Sequence, residues 1–256
     1  MNLTDAVCIV TGSAAGIGAA CAVRLASKGA RVAINFTKSA SEAQEVAALC
    51  QAAGAQAMVV RADVSSDDDC RRLAQTVLDK WGRIDGLVNN AGTTKFVPHG
   101  DLAALDAADF QRIFGVNVIG PFQMVRAVAP AMQRQGAGAV VNVSSIAGLT
   151  GMGSSVAYAA SKGALNTMTL SLARALGPAI RVNAVCPGFV ETRWLTSGLG
   201  AEYEARKKNY EAITPLKATV LPEDVADTVV WLLEGAGKVT GELITVDSGV
   251  HLGVAR

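Results

Sequence analysis

The sequence predicts an α/β fold built on a parallel sheet and carried by a single domain over residues 1–256. Three observations point there. Short apolar, β-branched runs alternate with helical segments of roughly ten to fifteen residues, the pattern of repeated βαβ units. The first apolar run is joined to the first helical segment by a glycine-rich turn, Thr11-Gly-Ser-Ala-Ala-Gly-Ile-Gly18. A length of 256 residues suits one large α/β domain with a sizeable core.

Composition narrows the function classes. Half of the chain is hydrophobic, yet no stretch is long and apolar enough for a membrane span. The first residues, Met1-Asn-Leu-Thr-Asp-Ala6, lack the basic region of a secretory signal, so a cytoplasmic protein is expected. The net charge is +1 with scattered basic residues, which argues against nucleic acid as a partner. The five cysteines (Cys8, Cys21, Cys50, Cys70, Cys186) form no CxxC pair and are expected to be reduced. His99 and His251 are the only histidines, so no metal site is expected and a metal-free mechanism is the default.

Taken in order, residues 6–10 form a short apolar strand that runs into the glycine turn and an apolar helix over 19–27. Glycines allow a tight turn and let backbone approach a phosphate, and the following helix N-terminus offers free N–H groups and a positive dipole end. At the start of an α/β chain this turn predicts a dinucleotide site. Residues 30–36 form the second strand. Strands at this position that bind NAD usually end in an acid that holds the ribose hydroxyls. Here the end reads Asn35-Phe-Thr-Lys-Ser39, with hydroxyls and one cation, which suits a 2′-phosphate. NADP(H) is therefore the expected cofactor, with NAD(H) as the alternative.

A helix over 42–53 and a third strand, Ala57–Arg61, lead to Asp63-Val64. Asp67–Trp81 is a helix with a charged face, and residues 84–92 form a fourth strand ending in Asn89-Asn-Ala-Gly92. Binding should cluster at the C-terminal ends of these strands. Residues 109–134 read as one helix containing Pro121 and Pro130. Pro121 cannot donate to the carbonyl of Asn117, and a freed carbonyl there could hold a water.

The next strand, 140–143, ends in Ser144 and Ser145, and a loop of small residues over 148–155 precedes a long helix over 157–176. Tyr158 and Lys162 lie four residues apart and share a face of that helix. A free phenol has a pKa of about 10, and a neighbouring ammonium favours the phenolate. A tuned phenol suits carbonyl/alcohol interconversion, where the oxygen left by hydride transfer must gain or lose a proton. Tyr203-Glu-Ala-Arg-Lys207 has the same spacing, but it sits in a charge-dense helix with no serine-ended strand before it and reads as surface.

Residues 181–186 form a sixth strand closed by Pro187-Gly188. Residues 189–221 read as a mobile flap with a helix over 201–212, followed by a helix over 222–233 and a last strand over 241–246.

Read together, the pieces Thr11-Gly-x-x-x-Gly-Ile-Gly18, Asp63-Val64, Asn89-Asn-Ala-Gly92, Asn117, Ser145, Tyr158-x-x-x-Lys162 and Pro187-Gly188 resemble the short-chain dehydrogenase/reductase family over nearly the whole chain. The resemblance implies a single-domain, doubly wound Rossmann fold with a seven-stranded parallel sheet, and a homotetramer. It makes Tyr158 the general acid/base, Lys162 its partner and a nicotinamide-ribose ligand, Ser145 the holder of the substrate oxygen, and Asn117 the keeper of a relay water. Gly12, Ser13, Gly16, Ile17 and Gly18 would face the cofactor phosphates, and Asn35, Thr37 and Lys38 the adenosine 2′ position. Asp63 and Val64 would flank adenine, Asn90, Ala91 and Gly92 the adenosine ribose, and Pro187, Gly188, Val190 and Thr192 the nicotinamide and pyrophosphate.

The chain also looks similar to 3-oxoacyl-acyl-carrier-protein reductases. Two departures matter. Ala15 stands where many NADP-preferring members carry a cation. The turns expected to dock an acidic carrier read Gly136-Ala-Gly138 and Gly177-Pro-Ala179, with Arg134 the nearest cation. A free ketone or secondary alcohol is therefore favoured over a carrier-bound acyl chain. An NAD-dependent sugar or polyol dehydrogenase and a non-catalytic cofactor-binding protein are the other readings. The substrate pocket is expected from Thr93, Thr94, Phe96, Ile146, Met152, Ser154, Phe189, Trp194 and Leu195, with Arg193 the sole candidate for holding an anion. A neutral substrate follows.

Overall fold

The computed structural model describes residues 1–253; residues 254–256 of the expected 1–256 domain lie outside the described residues. Seven strands form one parallel sheet, β1 (Val7–Val10), β2 (Arg31–Phe36), β3 (Ala57–Arg61), β4 (Gly86–Asn89), β5 (Gly138–Val143), β6 (Ile180–Pro187) and β7 (Leu243–Val246). Their spatial order is β3-β2-β1-β4-β5-β6-β7. The order reverses at β1, whose Val10 pairs with Ile34 of β2 on one side and Val88 of β4 on the other. The chain leaves these neighbours in opposite directions, which opens a crevice beyond their C-terminal ends. The alternating pattern predicts the parallel sheet, and its doubly wound, seven-stranded form is the one the family resemblance implies.

Helices α1 (Gly16–Ser27), α2 (Ala40–Ala52) and α10 (Pro222–Glu234) cover one face, and α3 (Asp67–Trp81), α5 (Gly120–Gln135) and α7 (Val156–Leu176) the other. Strand alternation divides β1 between the two layers. Cys8 and Val10 pack with Leu25, Val46 and Val229, whereas Val7 and Ile9 pack with Leu73, Val77 and Val128. All five cysteines are buried free thiols. Among the described residues, no helix is long and apolar enough to cross a membrane.

The expected single helix over 109–134 is instead three pieces: α4 (Ala107–Phe114), a π-helical turn (Gly115–Ile119) and α5. The Gly120 N–H reaches the Gly115 carbonyl five residues back. Pro121 then opens α5, where an N–H is not needed. The widened turn holds Asn117 fully buried. Gly120 is required there because a Cβ would stand 2.9 Å from Val64 Cγ2. The loop before α7 contains a short helix, α6 (Ala147–Thr150).

The flap carries α8 (Arg193–Leu199) and α9 (Tyr203–Ile213). Its two ends are joined by a Val190–Val220 bridge. Glu191 accepts from Lys207 Nζ at 2.7 Å and from the Thr219 hydroxyl. Tyr203 packs against Phe189 with ring centroids 5.6 Å apart. The Tyr203–Lys207 pair is therefore half-buried flap structure rather than the surface pair its charge-dense surroundings suggest.

Candidate active site

One cleft of about 750 Å³ occupies the crevice at the reversal point. Its end beside β1 and β4 is built by two loops tied together. The Thr11 hydroxyl accepts from the Asn90 and Ala91 amides at 3.0 Å each, and Asn90 Nδ2 donates to the Thr11 and Gly12 carbonyls at 3.0 Å. Gly12 and Gly16 adopt φ of +60° and +57°, which L side chains rarely take, and a Cβ on Gly12 would meet Ala91 Cα at 2.8 Å. Helix α1 has no side-chain N-cap bond and no acid in its first turn, so its orphan N–H groups face the cleft beside Gly16 and Ile17.

Thr37, Lys38 and Ser39 line the cleft beyond β2, with Asp63, Val64, Asn90, Ala91 and Gly92 on the adjoining wall. Pro187, Gly188, Val190 and Thr192 line the opposite side. Three expected cofactor residues do not line it. The buried Ser13 hydroxyl donates to the Val10 carbonyl at 2.7 Å and accepts from the Asn35 amide. Asn35 is also buried; it accepts from the Gly12 amide and donates to the Ala62 carbonyl at 2.9 Å. Gly18 lies against the loop beneath, where a Cβ would stand 2.4 Å from Asn90 Nδ2. These residues hold the shape of the turn.

The other end of the cleft is set by β5 and α7. Ser155 caps α7 by accepting from the Tyr158 amide, which fixes the first turn that presents Tyr158. The two serines after β5 have different roles. Both line the cleft, but Ser144 is buried and donates to Asn166 Oδ1 at 2.6 Å, whereas the Ser145 hydroxyl accepts from the Ala147 amide at 3.1 Å and lies near enough to Tyr158 to pull its phenol down. Lys162 Nζ donates to the Val143 carbonyl at 2.8 Å and stands 5.6 Å from the centre of the Tyr158 ring.

Tyr158 is half-buried and lines the cleft. Burial pushes its phenol up to about 12, with Ser145 pulling the other way. Burial drives the Lys162 ammonium down to about 8. Against the lowered phenol expected from the Tyr158–Lys162 spacing, burial is the largest influence and raises it, and Ser145 rather than Lys162 pulls it down. The buried Asn117 side chain also points away from the cleft. It accepts from the Thr93 amide at 2.8 Å and donates to the Thr93 carbonyl and to Ser161 Oγ, which in turn donates to the Tyr158 carbonyl. The amide braces the Thr93 loop against α7, leaving only its main-chain carbonyl for a relay.

The substrate side differs from expectation. Thr93, Arg193, Trp194 and Leu195 line the cleft, and Trp194 meets Tyr158 edge-on with centroids 6.4 Å apart. The other expected residues do not line it. Thr94 and Ser154 hydrogen-bond each other at 2.6 Å, Phe96 packs under Gly198, and Met152 points to solvent. Phe189 is held between Tyr203 and Tyr210, and the Ile146 amide is tied to the Pro187 carbonyl. Arg112, on α4, lines the cleft and was not foreseen. Its one sequence signal is its position on the helix that leads to Asn117.

Residues 12–251 match the family described as enoyl-(acyl carrier protein) reductase. The chain is 45% identical, over 96% of both chains, to a Streptomyces violaceoruber protein described as ketoacyl reductase 2 of the granaticin polyketide synthase. It is 36% identical to the 3-oxoacyl-[acyl-carrier-protein] reductase of a Synechocystis strain, over 97% of this chain and 98% of that one. A solved structure from Burkholderia xenovorans, described as a short-chain dehydrogenase/reductase, superposes with a TM-score of 0.91 at 44% identity, covering 97% of this chain and 99% of the other.

Proposed function

We propose that this chain, which belongs to the short-chain dehydrogenase/reductase family of oxidoreductases, reduces a ketone to a secondary alcohol with NADP(H) as the preferred hydride carrier. The observation that carries the reading is one cleft lined at one end by Ser145, Tyr158 and Lys162 and at the other by a glycine cradle with free helix N–H groups. The fit to a dinucleotide rests on that cradle: positive-φ Gly12 and Gly16, the close approach of Gly12 to Ala91, and an uncapped α1. A bound nicotinamide dinucleotide supplies the hydride.

The chain's residues handle the oxygen. The Ser145 hydroxyl orients the substrate carbonyl, and Tyr158 protonates that oxygen as charge develops on it. A phenol pushed up to about 12 is fully protonated at neutral pH, which suits an acid in the reductive direction. Lys162, fixed by the Val143 carbonyl, stays beside the phenol and offers donors to a ribose hydroxyl. Lys38, with Thr37 and Ser39, offers the donors and positive charge that a 2′-phosphate needs, and Phe36 neither repels it nor binds a free ribose diol.

Tyr158→Phe removes the acid and leaves the cradle intact. Ketone reduction should fall at least about a hundredfold while NADPH still binds. Undiminished turnover across a ketone panel would sink the mechanism. The ketoacyl-reductase relatives favour one second reading, a 3-oxoacyl thioester as the ketone. The uncharged turns at Gly136-Ala-Gly138 and Gly177-Pro-Ala179 weigh against a docked acidic carrier. A cytoplasmic homotetramer belongs to the proposal. Exposed Phe122 on α5 and Leu170 on α7 support self-association, and light scattering reads its stoichiometry.

A further inference from the structure

Arg112 is fixed in the wall of the cleft. Nη1 donates to the Thr93 hydroxyl at 3.1 Å and to the Thr94 carbonyl at 3.4 Å, and Nη2 to Asp109 Oδ1 at 3.3 Å. A guanidinium has five N–H groups. Its Nε–H and one Nη2–H hydrogen-bond nothing among the described residues. Asp109 does not cancel the charge, because its other oxygen accepts from Lys95 Nζ at 2.6 Å. Two cations share one carboxylate, and the cluster keeps a net positive charge. Asp106 is engaged as the N-cap of α4.

The place of the cluster matters as much as its charge. Thr93 is tied to Asn117, and Thr94 to Ser154 in the loop before Tyr158. Arg112 therefore stands on the substrate side of the cleft. The other lining arginine, Arg193, leans toward Glu42 of α2 at 3.8 Å and is largely exposed. We infer that Arg112 is an anion seat, so that the ketone carries a compact oxyanion, a carboxylate or a phosphate, away from its reacting carbonyl. This rests on the ketone-reductase reading above. It replaces the neutral substrate expected from sequence, where Arg193 is the sole candidate for holding an anion.

Matched substrate pairs test it in the full chain. One pair is cyclohexanone and 4-oxocyclohexanecarboxylate. The other is the acetoacetyl thioester of N-acetylcysteamine and that of 4′-phosphopantetheine, the same ketone without and with a phosphate. The guanidinium is half exposed, which discounts a charge-assisted contact. The charged member of at least one pair should be preferred roughly tenfold in kcat/KM. The pair showing the preference separates carboxylate from phosphate. Arg112→Gln should bring the charged-to-neutral ratio near one, and Arg112→Lys should restore part of it. Equal use of both members by wild type, or an unchanged ratio in Arg112→Gln, overturns the inference. Binding of cyclohexanecarboxylate and methyl phosphate by ligand-observed NMR gives a readout independent of turnover. Roughly tenfold tighter binding of either to wild type than to Arg112→Gln upholds the seat, and equal binding of both refutes it. Failure to reduce all four ketones would refute the reductase reading instead.

Discussion

Replacing Lys162 should make the protein more stable and less active. Its side chain is almost wholly buried, and burial lowers its pKa from 10.5 to about 8. At about 1.4 kcal/mol per unit, keeping the ammonium charged in the folded state costs about 3 kcal/mol. The folded pKa is the depressed one, so between pH 8 and 10.5 the unfolded chain binds more protons and stability rises with pH. Below pH 8 the whole cost is present, and above about 10.5 it is gone. Lys162→Met keeps the length of the side chain and removes the charge. It also removes the hydrogen bond to the Val143 carbonyl, which offsets about 1 kcal/mol of the gain. A net gain of about 2 kcal/mol at pH 7 corresponds to roughly 4–8 °C in Tm for a domain of this size. Calorimetry at pH 7, 9 and 10.5 should show the variant's advantage shrink and then reverse, because the lost hydrogen bond remains after the charge cost has gone, while ketone reduction collapses at every pH. A variant less stable than wild type at pH 7, or a gain that does not change between pH 8 and 10.5, refutes the reasoning.

Two further outcomes follow from the cradle. Lys38→Ala should narrow the preference for NADPH over NADH by roughly tenfold in kcat/KM, chiefly through the KM for NADPH; a wild type that prefers NADH shows that the β2 end was misread. Gly18→Ala places a methyl 2.4 Å from Asn90 Nδ2 and 2.6 Å from the Gly12 carbonyl. The two tied loops must separate, and stability should drop by about 1–3 kcal/mol with a parallel loss of NADPH binding; normal binding in that variant refutes the account of Gly18.

The fold was legible because its signals are local and repeated. Alternating apolar runs and helices specify a parallel sheet, and the turn at Gly12 and Gly16 needs positive φ that the sequence provides. The misses share one cause: sequence lists donors and rings without saying what they meet. Ser13 and Asn35 have the chemistry of cofactor ligands, but the nearest unsatisfied groups are backbone atoms of neighbouring strands. Phe96 and Phe189 follow strand ends as pocket residues would, yet the flap helices arrive first and cover them. The π-helical turn was half visible. Pro121 signalled a break, but the close approach of Gly120 to Val64 is a tertiary fact. Arg112 carries no strand-end signal, because its side chain reaches the cleft from helix α4.

The cleft has a firmly built floor and a weakly held roof. Ser145, Tyr158 and Lys162 sit on a strand end and a long helix whose neighbours are buried and hydrogen-bonded. The roof is α8, which buries none of its residues. The flap's base is pinned by the Val190–Val220 bridge and by the Glu191 contacts with Lys207 and Thr219, so freedom is concentrated between those anchors. Segments with little buried surface open at low free energy. Of the cleft-lining residues, Arg193, Trp194 and Leu195 are carried by this helix, while Arg112 and Thr93 are not. The apolar cover over Tyr158 can therefore shift without disturbing either the Tyr158 phenol or the fixed guanidinium. On the proposed reading, a site divided in this way keeps its chemistry rigid and leaves the fit around the rest of the substrate to the loosely packed α8.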